Sequence, residues 1–471
     1  MNLIHRLAFC FFVFVSVSES ACNQKTAESK GEKVDILISG AKILTSEPEI
    51  PLIENGYVAI RNGKIVDLGA MDSLGQRYIS EKMIDGKGKL VMPGLINTHT
   101  HAAMTLFRGL ANDLPLQEWL EKHIWPAEAG FVKAGTVYAA SLVAMGEMVQ
   151  AGTTTFCDMY FFEEEVARAA KMMGVRAVLG EGILNFPTPS HPNPDEALAY
   201  SARMVKNWAG DPLINIVISP HSPYTCSEAL LQKCRKYADS LGVRMVIHLA
   251  ETRKEVADIQ AQTGLSPVEY LNKIGFLGED VLAAHCVHLS KKDISILGAT
   301  HTHVSHNPQS NMKLTSGVAP VPDLLAAGIN VGLGTDGVAS NNDLNLWEEM
   351  NTTSLLQKLF RDDPTIMTPQ EVLHMATLAG AEALGLDDIT GSLKVGKQAD
   401  LIMLDLSSFH LHPNYDIYSL LVYSADASDV ESVIIDGKMV MENHRLLTID
   451  SEEVIANFER IADEIRKKMI P

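Results

Sequence analysis

The sequence predicts an α/β protein: a (β/α)8 TIM-like barrel with a small β-sandwich domain built from both chain ends. Eight short apolar runs alternate with helical stretches in the middle of the chain. Alternating strands with tight turns stand on both sides of this region. The length of 471 residues suits a large barrel plus a smaller domain. Apolar strands alternating with helices indicate a covered parallel sheet, and eight such units close into a barrel.

The first 22 residues have the layout of a secretory signal. A short basic start precedes an apolar run from Leu7 to Val17, and small residues precede Cys22. The apolar run is too short for a permanent membrane span. We therefore expect export, to the periplasm or as a lipoprotein anchored through Cys22, with residues 23–32 as a flexible tether. The alternative is a cytoplasmic protein.

Two β-rich segments, 33–90 and 386–450, are predicted to form the small domain. The first contains the alternating strands "KVDILISGAKILT" and "YVAIRNGKIVDLG" with an Asn-Gly turn, and the second contains "ESVIIDGKMVMENH" with an Asp-Gly turn. Residues 451–471 form an amphipathic closing helix in this prediction.

Residues 91–385 are assigned to the barrel. Helical spacing of apolar residues occurs in the intervening segments, such as "SEALLQKCRKYADSLG". The strand runs share an apolar body and a polar end: "LVMPGLINTHTH", "GTTTFCDM", "VRAVLGEGI", "INIVISPHS", "RMVIHLAE", "VLAAHCVH", "THVSHNP" and "INVGLGTDG".

Composition excludes several kinds of partner. The formal net charge is -19, whereas nucleic acids and anionic membranes require a basic face. A small neutral or cationic substrate fits better. The oligomeric state stays open. The four cysteines beyond the leader are scattered without metal or disulfide spacing, so we expect buried free thiols: Cys157, Cys226, Cys234 and Cys286.

Metal-binding side chains follow several barrel strands, at the rim where such barrels carry their chemistry. They are His99 and His101 after strand one, His221 after strand four, His248 and Glu251 after strand five, His285 after strand six, and Asp336 after strand eight. Three imidazoles and a carboxylate suit one divalent ion such as Zn²⁺. The predicted ligands are His99, His101, His248 and Asp336. "INIVISPHS" lacks a lysine that could bridge a second metal, so we expect one ion per subunit.

Three of these residues are candidates for the chemistry itself. A bound Zn²⁺ lowers the pKa of its water from 15.7 to roughly 7, which supplies hydroxide at neutral pH. Glu251 lies three residues after His248, where it can reach a substrate, and is the predicted proton carrier. His285 is expected to orient the water and share its proton, and Asp336 to accept a proton.

Several motifs carry a family resemblance. "PGLINTHTH", "HLAE", "AAHC", "SHNPQSNMKL" and "LGTDGVASNN" resemble the amidohydrolase superfamily, from about Val34 to the C-terminal region. "HAAMTLFRGLANDLPLQEWL", "DMYFFEE" and "SPHSPYTCSEALL" are similar to its 5-methylthioadenosine/S-adenosylhomocysteine deaminases. The resemblance implies a hydrolase of non-peptide C–N bonds. Such an enzyme deaminates an aminopurine nucleoside, releasing ammonia and an inosine-type product, with Glu251 protonating the ring nitrogen.

The same resemblance implies substrate contacts. Glu128 would bind the ribose hydroxyls, and His221 would contact the nucleoside, together with Glu251 and Asp336. Trp119 and Trp125, on the segment around Glu128, could pack within their loop or form part of the pocket wall, and we favour packing within the loop.

One departure from the family concerns the substrate's tail. Members that accept S-adenosylhomocysteine have arginines after strand three, which suit a carboxylate. Here that stretch is "LGEGILNFPTPSHPNPDEA", with Glu181 and no arginine. We expect Glu181 to repel a carboxylate, which favours an adenosine-like substrate.

Two rival functions remain open. One is another hydrolase on the same metal, acting on a different nitrogen heterocycle by dechlorination or cyclic-amide hydrolysis. The other is an exported binding lipoprotein without catalysis.

Overall fold

The computed structural model describes residues 31–469 of the chain. The predicted leader, Cys22 and the tether as far as residue 30 lie outside the described residues, as do residues 470 and 471. The expected export and lipid attachment therefore stay predictions.

One nine-stranded sheet combines the two chain ends. Its strands are β1 (Glu32–Leu44), β2 (Leu52–Arg61), β3 (Lys64–Ala70), β4 (Tyr78–Asp85), β5 (Lys89–Pro93), β15 (Leu401–Asp405), β16 (Val430–Ile435), β17 (Lys438–Glu442) and β18 (Arg445–Leu446). Their order across the sheet is β18-β17-β16-β15-β5-β1-β2-β3, with β4 also paired to β1. The antiparallel pair β5 and β15 joins the two halves. The predicted domain built from both termini is confirmed.

Two predicted turns form where these halves meet. Asn62 and Gly63 connect β2 to β3, and Asp436 and Gly437 connect β16 to β17; all four have positive φ, as a two-residue hairpin of this kind requires. A Cβ on Gly437 would lie 2.6 Å from the Cα of Gly63. Glycine is therefore required for this close contact as well as for the turn.

The eight predicted barrel units are also confirmed. Their strands are β6 (Leu95–Thr100), β7 (Thr153–Tyr160), β8 (Arg176–Ile183), the short pair β9 (Ile214–Ile216) and β10 (Ser219–Pro220), β11 (Met245–Leu249), β12 (Val281–His285), β13 (His303–His306) and β14 (Val331–Leu333). The run "LVMPGLINTHTH" differs from the prediction, because it divides at Gly94 into β5 and β6. A Cβ on Gly94 would come within 2.1 Å of Thr154, so the chain passes close to β7 as it changes sheets.

Two parallel arcs make up the barrel, β6 to β10 and β11 to β14. A backbone bridge between Ile218 and Met245 connects β10 to β11. On the other side, the Asp336 N–H donates to the His99 carbonyl (2.9 Å), and the Thr98 hydroxyl donates to the Leu333 carbonyl (2.9 Å). These bonds place the ends of the first and last strands side by side.

Helices cover the barrel and connect its strands. They are α1 (Leu116–Trp119), α2 (Trp125–Phe131), α3 (Ala134–Gln150), α4 (Glu163–Met173), α5 (Pro194–Asn207), α6 (Glu228–Leu241), α7 (Arg253–Thr263), α8 (Pro267–Lys273), α9 (Lys291–Thr300), α10 (Pro308–Lys313), α11 (Val321–Ala326), α12 (Leu346–Arg361), α13 (Pro369–Met375), α14 (Leu378–Leu384), α15 (Ile417–Tyr423) and α16 (Ser451–Met469). The predicted closing helix is α16, and it packs on α3.

No single helix in residues 31–469 is both long and apolar enough to cross a membrane. Two helical segments, Leu116–Phe131 and Ala134–Gln150, reach that length and composition only together, across a bend of 112°. The four cysteines in the described chain are free and buried, as predicted.

A buried ion pair connects the barrel to the β-domain. Arg176, at the start of β8, donates from Nε to Asp400 Oδ2 (2.8 Å) and from Nη2 to Oδ1 (3.1 Å). Both side chains are almost completely shielded from solvent, at 1% and 0% exposure. Asp400 also accepts the backbone N–H of Asp436 (2.7 Å) in the turn after β16. One carboxylate therefore holds three segments together.

Replacing this carboxylate should destabilise the protein strongly. Asp400→Asn leaves the Arg176 charge buried without its counter-charge, so we expect the free energy of unfolding to fall by about 3–5 kcal/mol. Urea denaturation followed by circular dichroism measures the loss. Asp258→Asn is the control, because Asp258 forms an exposed pair with Lys254, and a change within about 0.5 kcal/mol is expected there. Equal effects in the two variants would contradict the role of the buried pair.

Candidate metal centre and active-site cavity

The side chains predicted as metal ligands converge at the C-terminal rim of the barrel. His101 Nε2 lies 3.2 Å from Asp336 Oδ1, and His99 Nε2 lies 3.6 Å from the same oxygen. His248 Nε2 is 3.3 Å from His101 Nε2. Residues from strands β6 and β11 and from the segment after β14 thus share one small volume.

The donor set fits a metal ion. Both ring nitrogens of His99 are buried and have no hydrogen-bond partner among the residues described, which is costly for a polar group. Candidate ligand atoms of His99, His101 and His248 lie within 4.8 Å of one another, and so do those of His99, His285 and Asp336. A cation among them would satisfy one of the two His99 nitrogens and separate nitrogen atoms that otherwise face each other.

Backbone carbonyls fix the tautomers of two ligands. His101 Nδ1 donates to the Met159 carbonyl (2.5 Å), and His248 Nδ1 donates to the His221 carbonyl (2.8 Å), because a carbonyl oxygen can only accept. Because Nδ1 of each ring is engaged with a carbonyl, Nε2 is the ring nitrogen that faces the site and is left to bind a metal ion.

Hydrogen bonds also hold the Asp336 carboxylate in place. Its Oδ1 accepts the Gly337 N–H (2.8 Å), and its Oδ2 accepts the hydroxyls of Ser310 (2.6 Å) and Ser340 (3.3 Å). Burial opposes ionisation, but the neighbouring His101 and His99 keep the pKa of Asp336 well below its ordinary value. The group is a carboxylate at neutral pH and can act as a ligand.

Glu251 and His285 stand beside this cluster. Glu251 Oε2 lies 3.8 Å from His285 Nε2, which is 3.9 Å from Asp336 Oδ2. Burial raises the pKa of Glu251, so a protonated form is more accessible than in water. His285 Nδ1 lies 2.9 Å from Asn311 Oδ1. The three predicted catalytic side chains are thus adjacent.

The backbone at these strand ends adopts a conformation unusual for residues with side chains. Ala250, His285, Cys286 and Asp336 all have positive φ, between 49° and 75°. Such strain is maintained only where surrounding contacts enforce it, and it is common at functional sites.

Glu255 holds the backbone turn before Glu251. This residue is not among the functional residues predicted from the sequence. Its two carboxylate oxygens accept the N–H groups of Ala250 and Glu251, both at 2.8 Å. The chain there reads "ETRKE", in which Glu255 resembles an ordinary acidic residue in the first turn of a helix. The signal that could have found it is its position four residues after Glu251, in the first turn of the helix that follows.

A cavity that is partly open to solvent lies over the cluster. Glu128 lines it and accepts a hydrogen bond from the Tyr160 hydroxyl (2.7 Å). Burial raises the pKa of Glu128 to about 7. The cavity is otherwise mainly apolar or aromatic, with these lining residues: Met104, Leu116, Trp119, Leu120, Trp125, Met159, Tyr160, Phe161, Gly182, Leu184, Tyr224 and Leu314.

His221 reaches the same cavity, whereas two tryptophans are placed differently from the prediction. His221 lies against the cavity, and its Nδ1 is 3.0 Å from the Thr225 hydroxyl. Trp119 and Trp125 form part of the cavity wall rather than only packing within their loop. They do so because α1 and α2 lie across the mouth of the barrel.

Glu181 does not face the cavity, which corrects the expectation that it repels a substrate carboxylate. On β8 the neighbouring Gly182 lines the cavity, and successive strand residues point to opposite faces. Glu181 instead accepts the N–H groups of Phe162 (3.4 Å) and Glu163 (3.1 Å) at the start of α4. Among residues 31–469, no arginine or lysine lines the cavity.

The chain matches a known protein family over the region that contains this site. The family model described as "Amidohydrolase family" matches residues 90–440, which include the barrel and every residue of the cluster. The chain belongs to the amidohydrolase family.

Close relatives of this amidohydrolase carry more specific names. A 5-methylthioadenosine/S-adenosylhomocysteine deaminase of Syntrophobacter fumaroxidans is 47% identical over 92% of this chain and 99% of its own length. A 5'-deoxyadenosine deaminase of Methanosarcina acetivorans is 48% identical over 92% of this chain and 98% of its own. The crystal structure of an adenosine deaminase from Xanthomonas campestris with bound zinc is 37% identical, with a TM-score of 0.91, covering 93% and 100% of the two chains.

Metal content tests the centre of this amidohydrolase directly. His248→Asn removes one ring nitrogen directed at the cluster, so we expect the purified variant to bind divalent metal at least about tenfold more weakly. Elemental analysis and titration with Zn²⁺ measure this. His301→Asn, on the surface at the end of α9, is the matched control and should bind like the wild type. Equal metal content in both variants would contradict the assignment of His248.

Proposed function

We propose that the protein is a metal-dependent hydrolytic deaminase of adenosine-type nucleosides, releasing ammonia and an inosine-type product. The observation that carries the proposal is the cluster of Glu251, His285 and Asp336 beside three convergent histidines. This is a set of proton-transferring groups next to a site for a divalent ion. The names of relatives that are 47% and 48% identical over nearly the whole chain support the choice of nucleoside.

We infer that zinc occupies the site, held by His99, His101, His248 and Asp336. Three nitrogen donors and a carboxylate suit Zn²⁺, and the similar adenosine deaminase structure contains zinc. The ion, when bound, lowers the pKa of a water molecule to about 7 and so makes a nucleophile available at neutral pH.

The protein's own groups handle the protons. Glu251 is buried at the cavity wall, and burial raises its pKa, which favours the protonated form that delivers a proton to a purine ring nitrogen. Protonation draws electrons from the adjacent ring carbon and prepares it for attack. His285 lies between Glu251 and Asp336, less than 4 Å from each, where it orients the attacking water. Asp336 accepts the proton that the water loses and passes it to the amino group, which leaves as ammonia when its bond to the ring carbon breaks. The remaining proton of the added hydroxyl group returns to Glu251.

The rest of the cavity suits a nucleoside. Trp119, Trp125 and Phe161 supply flat apolar surfaces for a purine. Glu128 offers a carboxylate oxygen for ribose hydroxyls while Tyr160 holds its other side. His221 supplies a ring nitrogen to the base.

We further propose that the chain is exported and attached to lipid through Cys22. The support is the order of a basic start, an apolar run and small residues before Cys22, followed by a polar tether. In this arrangement the enzyme acts on nucleosides outside the cytoplasm.

Ammonia release from purine nucleosides tests the proposed reaction. Metal-replete protein should release ammonia from 5'-deoxyadenosine and 5'-methylthioadenosine. Glu251→Gln should lower kcat by at least about a hundredfold, because an amide cannot shuttle protons. Its metal content should not change. Glu228→Gln, at the surface of α6, is the control and should retain full activity. Full turnover by the Glu251→Gln variant, or ammonia release only from other heterocycles, would contradict the proposal.

The group attached to the 5' carbon of the nucleoside should affect kcat/KM. S-Adenosylhomocysteine carries a carboxylate, and no cationic side chain of the described chain lines the cavity to receive it. We expect kcat/KM to be at least about tenfold lower for it than for 5'-methylthioadenosine, because only its charged tail loses water without gaining a cationic partner. Steady-state ammonia assays on both nucleosides measure the ratio. Equal values would show that a cation outside the cavity wall reaches the tail.

A further inference from the structure

We propose that Ser316 is a positioning residue of the reaction, which holds Oε1 of Glu251 so that Oε2 alone carries the transferred proton. The inference rests on the proposed function, because it concerns the proton carrier of that reaction. Ser316 lies in the loop after α10, 65 residues from Glu251 in sequence, and none of the motifs in the sequence analysis contains it.

The contact that carries the inference is a buried hydrogen bond. The Ser316 hydroxyl donates to Glu251 Oε1 at 3.0 Å, and Ser316 is only 6% exposed. This carboxylate is the only partner of that hydroxyl among the residues described. An oxygen that already accepts a hydrogen bond is less basic than its neighbour. The free Oε2, 3.8 Å from His285 Nε2, is therefore the oxygen that takes up and releases the proton.

Main-chain contacts fix the position of the serine. Its N–H donates to the Asn311 carbonyl (2.8 Å), and its own carbonyl accepts a hydrogen bond from His288 Nε2 (2.6 Å). The flanking residues Thr315 and Gly317 have φ values of 56° and 133°, and a Cβ on Gly317 would lie 2.8 Å from Val287. The hydroxyl is therefore held by a rigid loop rather than by a mobile one.

The same loop is connected to the backbone beside Glu251. The N–H of His288 donates to the Ala250 carbonyl (2.9 Å), and Ala250 immediately precedes Glu251. Ser316 therefore has two connections to this region. Its hydroxyl bonds to the Glu251 side chain, and its carbonyl bonds to His288, whose own N–H bonds to the residue before Glu251. Together with Glu255, which holds the N–H groups of Ala250 and Glu251, this arrangement leaves the carboxyl group little rotational freedom.

In the proposed step the proton moves from Glu251 Oε2 to the purine ring nitrogen. The O–H bond breaks while the N–H bond forms, and the O–H electron pair stays on the carboxylate. The Ser316 hydroxyl stabilises this carboxylate through Oε1. Without the hydroxyl, Glu251 can rotate, and a smaller fraction of bound substrate meets a correctly directed proton.

Steady-state kinetics of Ser316→Ala on 5'-deoxyadenosine test the proposal. Losing a hydrogen bond to a charged group should lower kcat about tenfold to a hundredfold. KM should stay within about twofold, because the hydroxyl does not contact the nucleoside. Ser316→Thr, which keeps the hydroxyl, should recover most of kcat. Metal content and thermal unfolding, measured in parallel, should match the wild type.

The matched control is Ser201→Ala. Ser201, on α5, is also buried, and among the described residues its hydroxyl donates only to the Ala197 carbonyl (3.0 Å) in its own helix. Unchanged kcat in Ser316→Ala, or an equal loss in a stably folded Ser316→Thr variant, would overturn the inference. A parallel loss of metal or stability would also overturn it, by showing a structural role. A wild-type protein that releases no ammonia would instead defeat the proposed function.

Discussion

The site depends on the closure of the barrel between its first and last strands. The Asp336 N–H donates to the His99 carbonyl, so residues 237 positions apart in the chain become neighbours in space. This bond brings the carboxylate of Asp336 within 3.2 Å of His101. The charge of the carboxylate then offsets part of the cost of burying polar rings in the barrel mouth. Without closure, the imidazoles of β6 would have no counter-charge.

Hydrogen-bond acceptors behind the rim side chains determine which ring nitrogen of a histidine faces the cluster. The carbonyls of Met159 and His221 each accept a hydrogen bond from Nδ1 of a histidine, so that Nε2 of that ring faces the cluster. Glu255 likewise accepts hydrogen bonds from the backbone N–H groups of Ala250 and Glu251 and so holds the main chain there. Because these groups belong to different strands and loops, the geometry of the site is a property of the whole rim. Five of the acting side chains are each held by a group from another segment: His101, His248, Glu251, His285 and Asp336.

Some features could be read from the sequence because they follow from local periodicity. His99 and His101 are two residues apart on a strand, so their side chains share a face, and the structure places both beside Asp336. Glu181 shows the limit of this reasoning. A strand that is apolar on both faces gives no indication of which residues point inward. The Glu181 carboxylate was therefore expected in the cavity, whereas in the structure it caps the start of α4.

The sequence by itself determined the barrel, the domain built from both ends and the identity of the rim side chains. Strand patterns, turns such as Asn62-Gly63 and polar strand ends are encoded within a few neighbouring residues. Only the tertiary structure decided that Trp119 and Trp125 form the cavity wall, and that Glu255 and Ser316 hold Glu251. Those contacts join distant loops, and their geometry depends on how helices pack over the barrel. A pattern within a few neighbouring residues of the sequence does not predict how those helices pack.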